Sequence, residues 1–323
     1  MIVRWGLESL PAVLGELGIT APLLISTERW RALEVPVERR FHGALPHAEI
    51  AGVRAALGEA ASADGLVALG GGSAIDTAKA VSGQTGLPIV SIPTTYSGAE
   101  WTQGFGIRDP QRKMRGGGSG ALLGGIVYDV GLTVAHPREQ TVGTAMNALA
   151  HCAEALYAHG RNDEADAVAL EGAALIVQWL PEVVDDPLDR DFRTELLRGA
   201  ALGGEALSLS MLALAHAMAQ AVGGKYGLPH GTLNGICLPP ALRYNQRYAA
   251  TAIRRFGEAV GDDPIARVEE LAALGGITRL RDLAVPEADL ADLGTAAAQR
   301  AGNQANPHPA TPAEIVELLR SVW

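Results

Sequence analysis

Three consecutive glycines and a hydroxyl, Gly70, Gly71, Gly72 and Ser73, stand between the apolar run Gly65 to Leu69 and an alanine-rich stretch from Ala74 to Ser82. Glycine reaches positive φ and has no Cβ to obstruct an approaching ligand. Ser73 is a candidate helix cap. Unpaired N–H groups at a helix start, with the helix dipole, attract a phosphate or pyrophosphate. A plain tight turn needs fewer glycines, since each loses backbone entropy on folding, so the phosphate reading is preferred. The spacing is not G-x-G-x-x-G, and that dinucleotide fingerprint does not apply.

After the next apolar run, Pro88 to Ile92, hydroxyls cluster at Thr94, Thr95, Ser97 and Thr102. They would lie at the carboxyl end of a parallel strand, the edge at which open α/β sheets bind ligands. A second polar group appears later. Asn147 and His151 are four residues apart in an alanine-rich helical pattern, which puts them on one helix face. His216 and His230 follow in further helical segments. Imidazole is a metal ligand and an acid–base group, so these side chains could converge on one cation or on one anionic substrate. Taken singly, each histidine is more often an ordinary core or surface residue. The spacing matches no local zinc signature.

These groups need elements to position them. Pro22 to Ser26, Gly65 to Leu69, Pro88 to Ile92 and Gly125 to Tyr128 read as buried strands, with helical patterns over Glu49 to Ala61 and Ala74 to Ser82. Continuous apolar strands alternating with helices indicate a parallel sheet covered on both faces. From about Thr141 the pattern is helical, over Asn147 to Ala158, Ala165 to Leu180, Phe192 to Ala221 and Leu233 to Arg247. The expected boundary falls between Thr133 and Thr141, and a cleft between two such domains is a common ligand site. The glycine-rich segment Arg112 to Gly125 follows no strand and reads as a surface or lid loop.

Composition narrows the class. The chain has 323 residues, 48% hydrophobic and 19% charged, as a globular protein of one large or two ordinary domains does. A net charge of −10 disfavours nucleic acid as a partner. Cys152 and Cys237 sit in apolar surroundings and read as buried free thiols of a reducing compartment. No signal peptide or uncharged apolar stretch of membrane-spanning length is visible, so a soluble, cytoplasmic protein is expected.

In order along the chain, GGGSAIDTAK (Gly70 to Lys79), IPTTYSGAEWT (Ile92 to Thr102), Tyr128 to Thr133, NALAHCAEALYA (Asn147 to Ala158) and HAMAQAVGGKYGLPHG (His216 to Gly231) resemble the iron-containing alcohol dehydrogenase superfamily. The resemblance implies an α/β N-terminal dinucleotide-binding domain with a parallel sheet over 1–137. It also implies an all-α catalytic domain over 138–323, a dehydroquinate synthase-like architecture. The cofactor would be NADH or NADPH, held by Gly70, Gly71, Gly72, Ser73, Asp76, Thr94, Thr95 and Ser97. Thr27, after the first strand, would stand at the ribose, where an acidic residue favours NAD. A threonine neither repels a 2′-phosphate nor grips a diol, which suits either cofactor.

In metal-dependent members an aspartate and three histidines hold the cation, at positions matching Asn147, His151, His216 and His230. A neutral amide is a weaker ligand than a carboxylate, so a divalent metal is expected to bind poorly. NALAHCAEALYA, GGKYGLPH and Asn306 to Pro309 are similar to the maleylacetate reductase branch, regarded as metal-independent. That branch implies hydride addition to a double bond conjugated to a carbonyl, with Asn147, His151, His216 and His230 as the catalytic cluster. The substrate would be a small anion, and Lys225, Arg243 or Arg112 could hold its carboxylate. His308 stands where the branch usually has arginine, and Gln220 where the superfamily often has another histidine. A metal-dependent alcohol or aldehyde dehydrogenase is the alternative activity, and a lyase on the same fold a third. A homodimer is expected by analogy.

Overall fold

A computed structural model describes residues 1–111 and 114–323. Two compact units divide the chain: 1–95 with 99–135, and 96–98 with 136–323. The change of unit at 135/136 falls between Thr133 and Thr141, and Tyr96–Gly98 goes with the second unit although both neighbouring stretches belong to the first.

The first unit contains strands β1 (Ile2–Trp5), β2 (Pro22–Ser26), β3 (Arg39–Phe41), β4 (Gly65–Gly70), β5 (Pro88–Pro93), β6 (Phe105–Asp109), β7 (Met114–Gly118) and β8 (Leu122–Tyr128). Helices α1 (Leu10–Glu16), α2 (Ile50–Glu59) and α3 (Gly72–Thr85) connect them. Six strands form a parallel sheet in the order β1-β8-β5-β4-β2-β3. Alternation along β4 divides its side chains between two cores. Leu66 and Ala68 join Ala74, Ile75, Ala78 and Val81 of α3, while Val67 and Leu69 join Leu10, Val13 and Leu14 of α1. Each fully buried leucine or isoleucine there contributes roughly 1.5–3 kcal/mol. Burial on both faces is why the strand reads as an unbroken apolar run.

The glycine-rich segment departs from the loop expectation where it is described. Met114–Gly118 is a strand paired antiparallel with Phe105–Asp109. A Cβ at Gly118 would lie 2.6 Å from the Phe105 ring, so only glycine lets that ring lie on the ribbon. Arg112, one of the candidate substrate cations, lies outside the described residues.

The second unit is helical: α4 (Arg138–Ala155), α5 (Asp163–Asp185), α6 (Arg190–Leu209), α7 (Leu214–Tyr226), α8 (His230–Asn245), α9 (Ala250–Val260), α10 (Pro264–Ala273), α11 (Leu290–Ala298), α12 (Ala301–Gln304) and α13 (Pro312–Ser321). Helix α4 packs against α5, α6, α7, α8 and α10 and is buried over nearly its whole length from Thr141. A helix buried on every side has no solvated face to take its polar residues, so Asn147, His151 and Glu154 must find partners inside the protein. Helix α5 has an apolar stretch long enough to cross a membrane, yet it packs on α4, α6 and α9 as a core helix. Cys152 and Cys237 are free and buried, and burial pushes both thiols up to about 12.

The helical pattern over Phe192 to Ala221 is two helices, not one. Helices α6 and α7 meet at 99°. Leu, Ala and Met continue through the break, so periodicity does not reveal it. The break is fixed by a carboxylate from elsewhere: Ala213 N–H donates to Glu154 Oε2 at 2.7 Å.

Candidate active site

The chain leaves β4 through Gly70, whose φ of +147° lies in a region side chains disfavour, and enters α3 after the extended Gly71. A Cβ at Gly71 would stand 2.8 Å from Thr95 Cγ2. The leading N–H groups of α3, those of Gly72 and Ser73, have no intrahelical acceptor. Thr94 N–H donates to Gly70 O at 3.1 Å, which fastens the hydroxyl-bearing end of β5 to the turn. Thr95 Oγ1 is buried without a partner among the described residues. A bare backbone turn, a helix N-terminus and an unspent hydroxyl fit a pyrophosphate. Thr27 directly follows the parallel strand β2, in extended backbone.

Two expectations for this turn are corrected. Ser73 does not cap α3; its Oγ accepts from His47 N–H at 2.9 Å, because the helix begins two residues earlier than expected, at Gly72. Asp76, expected at the cofactor, faces the other way: it pairs with Lys79 at 3.0 Å and accepts from Gly106 N–H at 3.1 Å. Lys79 is itself buried and donates to Ala99 O at 2.7 Å and Gly104 O at 2.6 Å. The pair fastens the segment after β5 to α3.

In the second unit the polar cluster closes around Asn147. The spacing along α4 aligns Asn147, His151 and Glu154 on one face. Asn147 Nδ2 donates to Ser97 O at 2.8 Å, which fixes the orientation of the amide. Its Oδ1 then accepts from Asn234 Nδ2 at 2.5 Å and lies 3.3 Å from His216 Nε2. Asn234 Nδ2 also lies 3.1 Å from His230 Nε2. The His216 ring stacks on His151 with centroids 4.8 Å apart and lies 5.6 Å from His230. The structure thus brings together all four residues singled out from the sequence.

Burial holds the His151 imidazole well below its ordinary range, and the neighbouring His216 pushes it the same way. His151 is therefore neutral. Its Nε2 faces the Asn147 amide N–H at 3.4 Å, which leaves the ring hydrogen on Nδ1. That Nδ1 is buried with no hydrogen-bond partner among the described residues. A buried donor left unspent in a dense polar cluster suits a ligand oxygen.

Profiles of known families match most of the chain. The Fe-containing alcohol dehydrogenase family, C-terminal, covers residues 141–323, and the iron-containing alcohol dehydrogenase family residues 7–122. A maleylacetate reductase of Pseudomonas knackmussii is 34% identical over 98% of this chain and 93% of its own. The chain belongs to the iron-containing alcohol dehydrogenase family, in its maleylacetate reductase branch. Shape alone does not separate the branches. A maleylacetate reductase from a Rhizobium species superposes with a TM-score of 0.89 at 28% identity, covering 100% of this chain and 95% of that one. An iron-containing alcohol dehydrogenase of Corynebacterium glutamicum gives 0.91 at 28% identity, covering 100% and 94%. Membership makes the chain an NAD(P)H-dependent oxidoreductase.

The side chains of the cluster carry no formal negative charge, and the Asn147 amide oxygen already accepts a hydrogen from Asn234. Such a set is a weaker one for a divalent metal than one that includes a carboxylate. The candidate substrate cations Lys225 and Arg243 are both ion-paired. Lys225 pairs with Asp289 at 2.8 Å and Asp292 at 3.6 Å, and Arg243 pairs with Glu269; both are partly exposed. Neither is bonded to the imidazole cluster among the described residues. Two members of the site escaped sequence reasoning. Asn234 lies four residues after His230 and Glu154 three after His151, spacings that place each beside its histidine on one helix face.

Proposed function

We propose that this chain is a maleylacetate reductase, converting maleylacetate to 3-oxoadipate with NADH or NADPH in the breakdown of aromatic compounds, and that it works without a metal ion. The observation that carries the reading is the cluster itself: three imidazoles around the Asn147 and Asn234 amides, with no carboxylate hydrogen-bonded to either amide among the described residues. Glu154, the acid nearest by, is turned to the opposite edge of His216.

The first unit supplies the cofactor site. The amides at Gly72 and Ser73 hold the pyrophosphate, Gly71 allows its close approach, and Thr95 Oγ1 is free to bond it. Thr27 accepts either ribose form. A reduced nicotinamide bound there supplies the hydride. The second unit supplies the electrostatics and the proton. As one alkene carbon takes the hydride, charge passes to the conjugated ketone oxygen. His151 Nδ1–H donates to that oxygen, a preorganised donor aimed where charge develops. The other carbon takes a proton from His216 Nε2. One hydride and one proton are consumed, and the double bond becomes a single bond.

The test is turnover by purified, chelator-treated protein with maleylacetate and NADH or NADPH. Oxidation of the nicotinamide with formation of 3-oxoadipate is expected, unchanged by added Fe²⁺ or Zn²⁺. Inactivity toward maleylacetate, with reduction of a simple aldehyde restored by either metal, overturns the reading.

A further inference from the structure

Glu154 is fully buried on α4, and three hydrogen-bond donors converge on it. Ala213 N–H donates to Oε2 at 2.7 Å, His216 N–H donates to Oε1 at 3.2 Å, and His216 Nδ1 lies 2.6 Å from Oε2. The first two are the free N–H groups at the start of α7. Most helices satisfy these with a serine, threonine, aspartate or asparagine of their own at the cap. Here the cap residue is Ala213, which makes no side-chain cap, and an acid 59 residues earlier replaces it.

That arrangement has a chemical consequence. Two backbone donors, which cannot change their protonation, fix the carboxylate plane. The carboxylate in turn fixes the imidazole. A ring nitrogen 2.6 Å from an oxygen that already accepts a backbone hydrogen is held as N–H, so the hydrogen on Nδ1 is locked toward Glu154. Nε2 is then the nitrogen turned toward Asn147 and the other imidazoles, and the one that exchanges a proton. When Nε2 releases a proton to carbon, the ring left behind is neutral and keeps its hydrogen on Nδ1. The carboxylate offsets the positive charge the ring carries before transfer.

We propose that Glu154 is a positioning residue for the reduction, acting through His216: it presents Nε2 to the substrate and holds the charge of the proton-bearing ring. This inference rests on the maleylacetate reading for its kinetic test but not for its structural one. Nitrogen-15 spectra of the wild-type protein, with the His216 resonances assigned by their loss in His216→Gln, are expected to show hydrogen on Nδ1. A bare Nδ1 overturns the proposal whatever the substrate proves to be. Glu154→Gln removes the charge and turns an N–H₂ group toward one of the three donors. It is expected to lower kcat by roughly 10²–10⁴-fold, with the KM for maleylacetate and the NADH affinity within about threefold of wild type. Glu154→Asp keeps the charge and should recover at least about tenfold of that loss. Turnover by Glu154→Gln within threefold of wild type, or a loss carried entirely in KM, overturns the proposal. If Glu154→Gln fails to fold, the aspartate variant and the nitrogen spectra decide.

Discussion

His151 and His216 stack almost flat, ring centroids 4.8 Å apart and planes 16° from parallel. Two imidazoles so close and so buried do not both carry charge. His216 has the Glu154 carboxylate beside it, whereas His151 has the Asn147 amide and no acid. The asymmetry assigns different work to chemically identical side chains.

The pH dependence of stability should show it. The folded-state pKa of His151 lies well below the ordinary value of 6.5, chiefly through burial. Above that value neither state is protonated there and stability is unaffected. Below it the unfolded chain binds a proton that the folded chain refuses, so stability falls as pH drops, by up to about 1.4 kcal/mol per pH unit for one such group. Melting temperatures measured between about pH 7 and pH 5 should decline in the wild type and more gently in His151→Gln. Equal slopes would show that His151 is not held neutral.

The glycine turn admits a sharp substitution. Gly71 has extended backbone that alanine can adopt, but the new methyl would meet Thr95 Cγ2 at 2.8 Å. Gly71→Ala should cost about 1–3 kcal/mol of stability through overpacking. It should weaken NADH binding at least about tenfold, roughly 1.4 kcal/mol, by filling the space a pyrophosphate needs. Fluorescence titration with NADH measures the second effect. Undiminished affinity would place the cofactor elsewhere.

Asn147→Asp tests the account of the metal. The substitution adds a negative charge beside three imidazoles without adding atoms. Affinity for Zn²⁺ or Fe²⁺, measured by calorimetry, should rise by at least about tenfold. Metal-free turnover of maleylacetate should fall, because the new oxygen no longer donates to Ser97 O and repels the developing enolate. A variant that binds metal no better than wild type, and reduces maleylacetate equally well without it, contradicts that account.

Sequence patterning was sufficient for the four inner strands of the sheet, the helical second half and the four members of the polar cluster, but not for the edge strands β1 and β3, which have no fully buried residue and leave no apolar run. Strands buried on two faces leave unbroken apolar runs, and a glycine triplet after such a strand has few structural uses. The β6–β7 ribbon was not legible, since glycines in a strand carry the same signal as glycines in a loop; the Phe105 ring that selects them lies outside their local pattern. Nor was the break between α6 and α7, where apolar spacing continues across the bend and the carboxylate that caps α7 comes from another helix. The ion pairs of Lys225 and Arg243 were not legible either, because the acids that pair with them are distant in sequence.

By itself the sequence determined which groups are available: a glycine triplet between a strand and a helix, three imidazoles and an amide. Only the tertiary structure decided which nitrogen of each imidazole faces which partner. The bonds of His216, and those from Asn147 to Ser97 and Asn234, join residues from 50 to 87 positions apart, separations that no local pattern encodes.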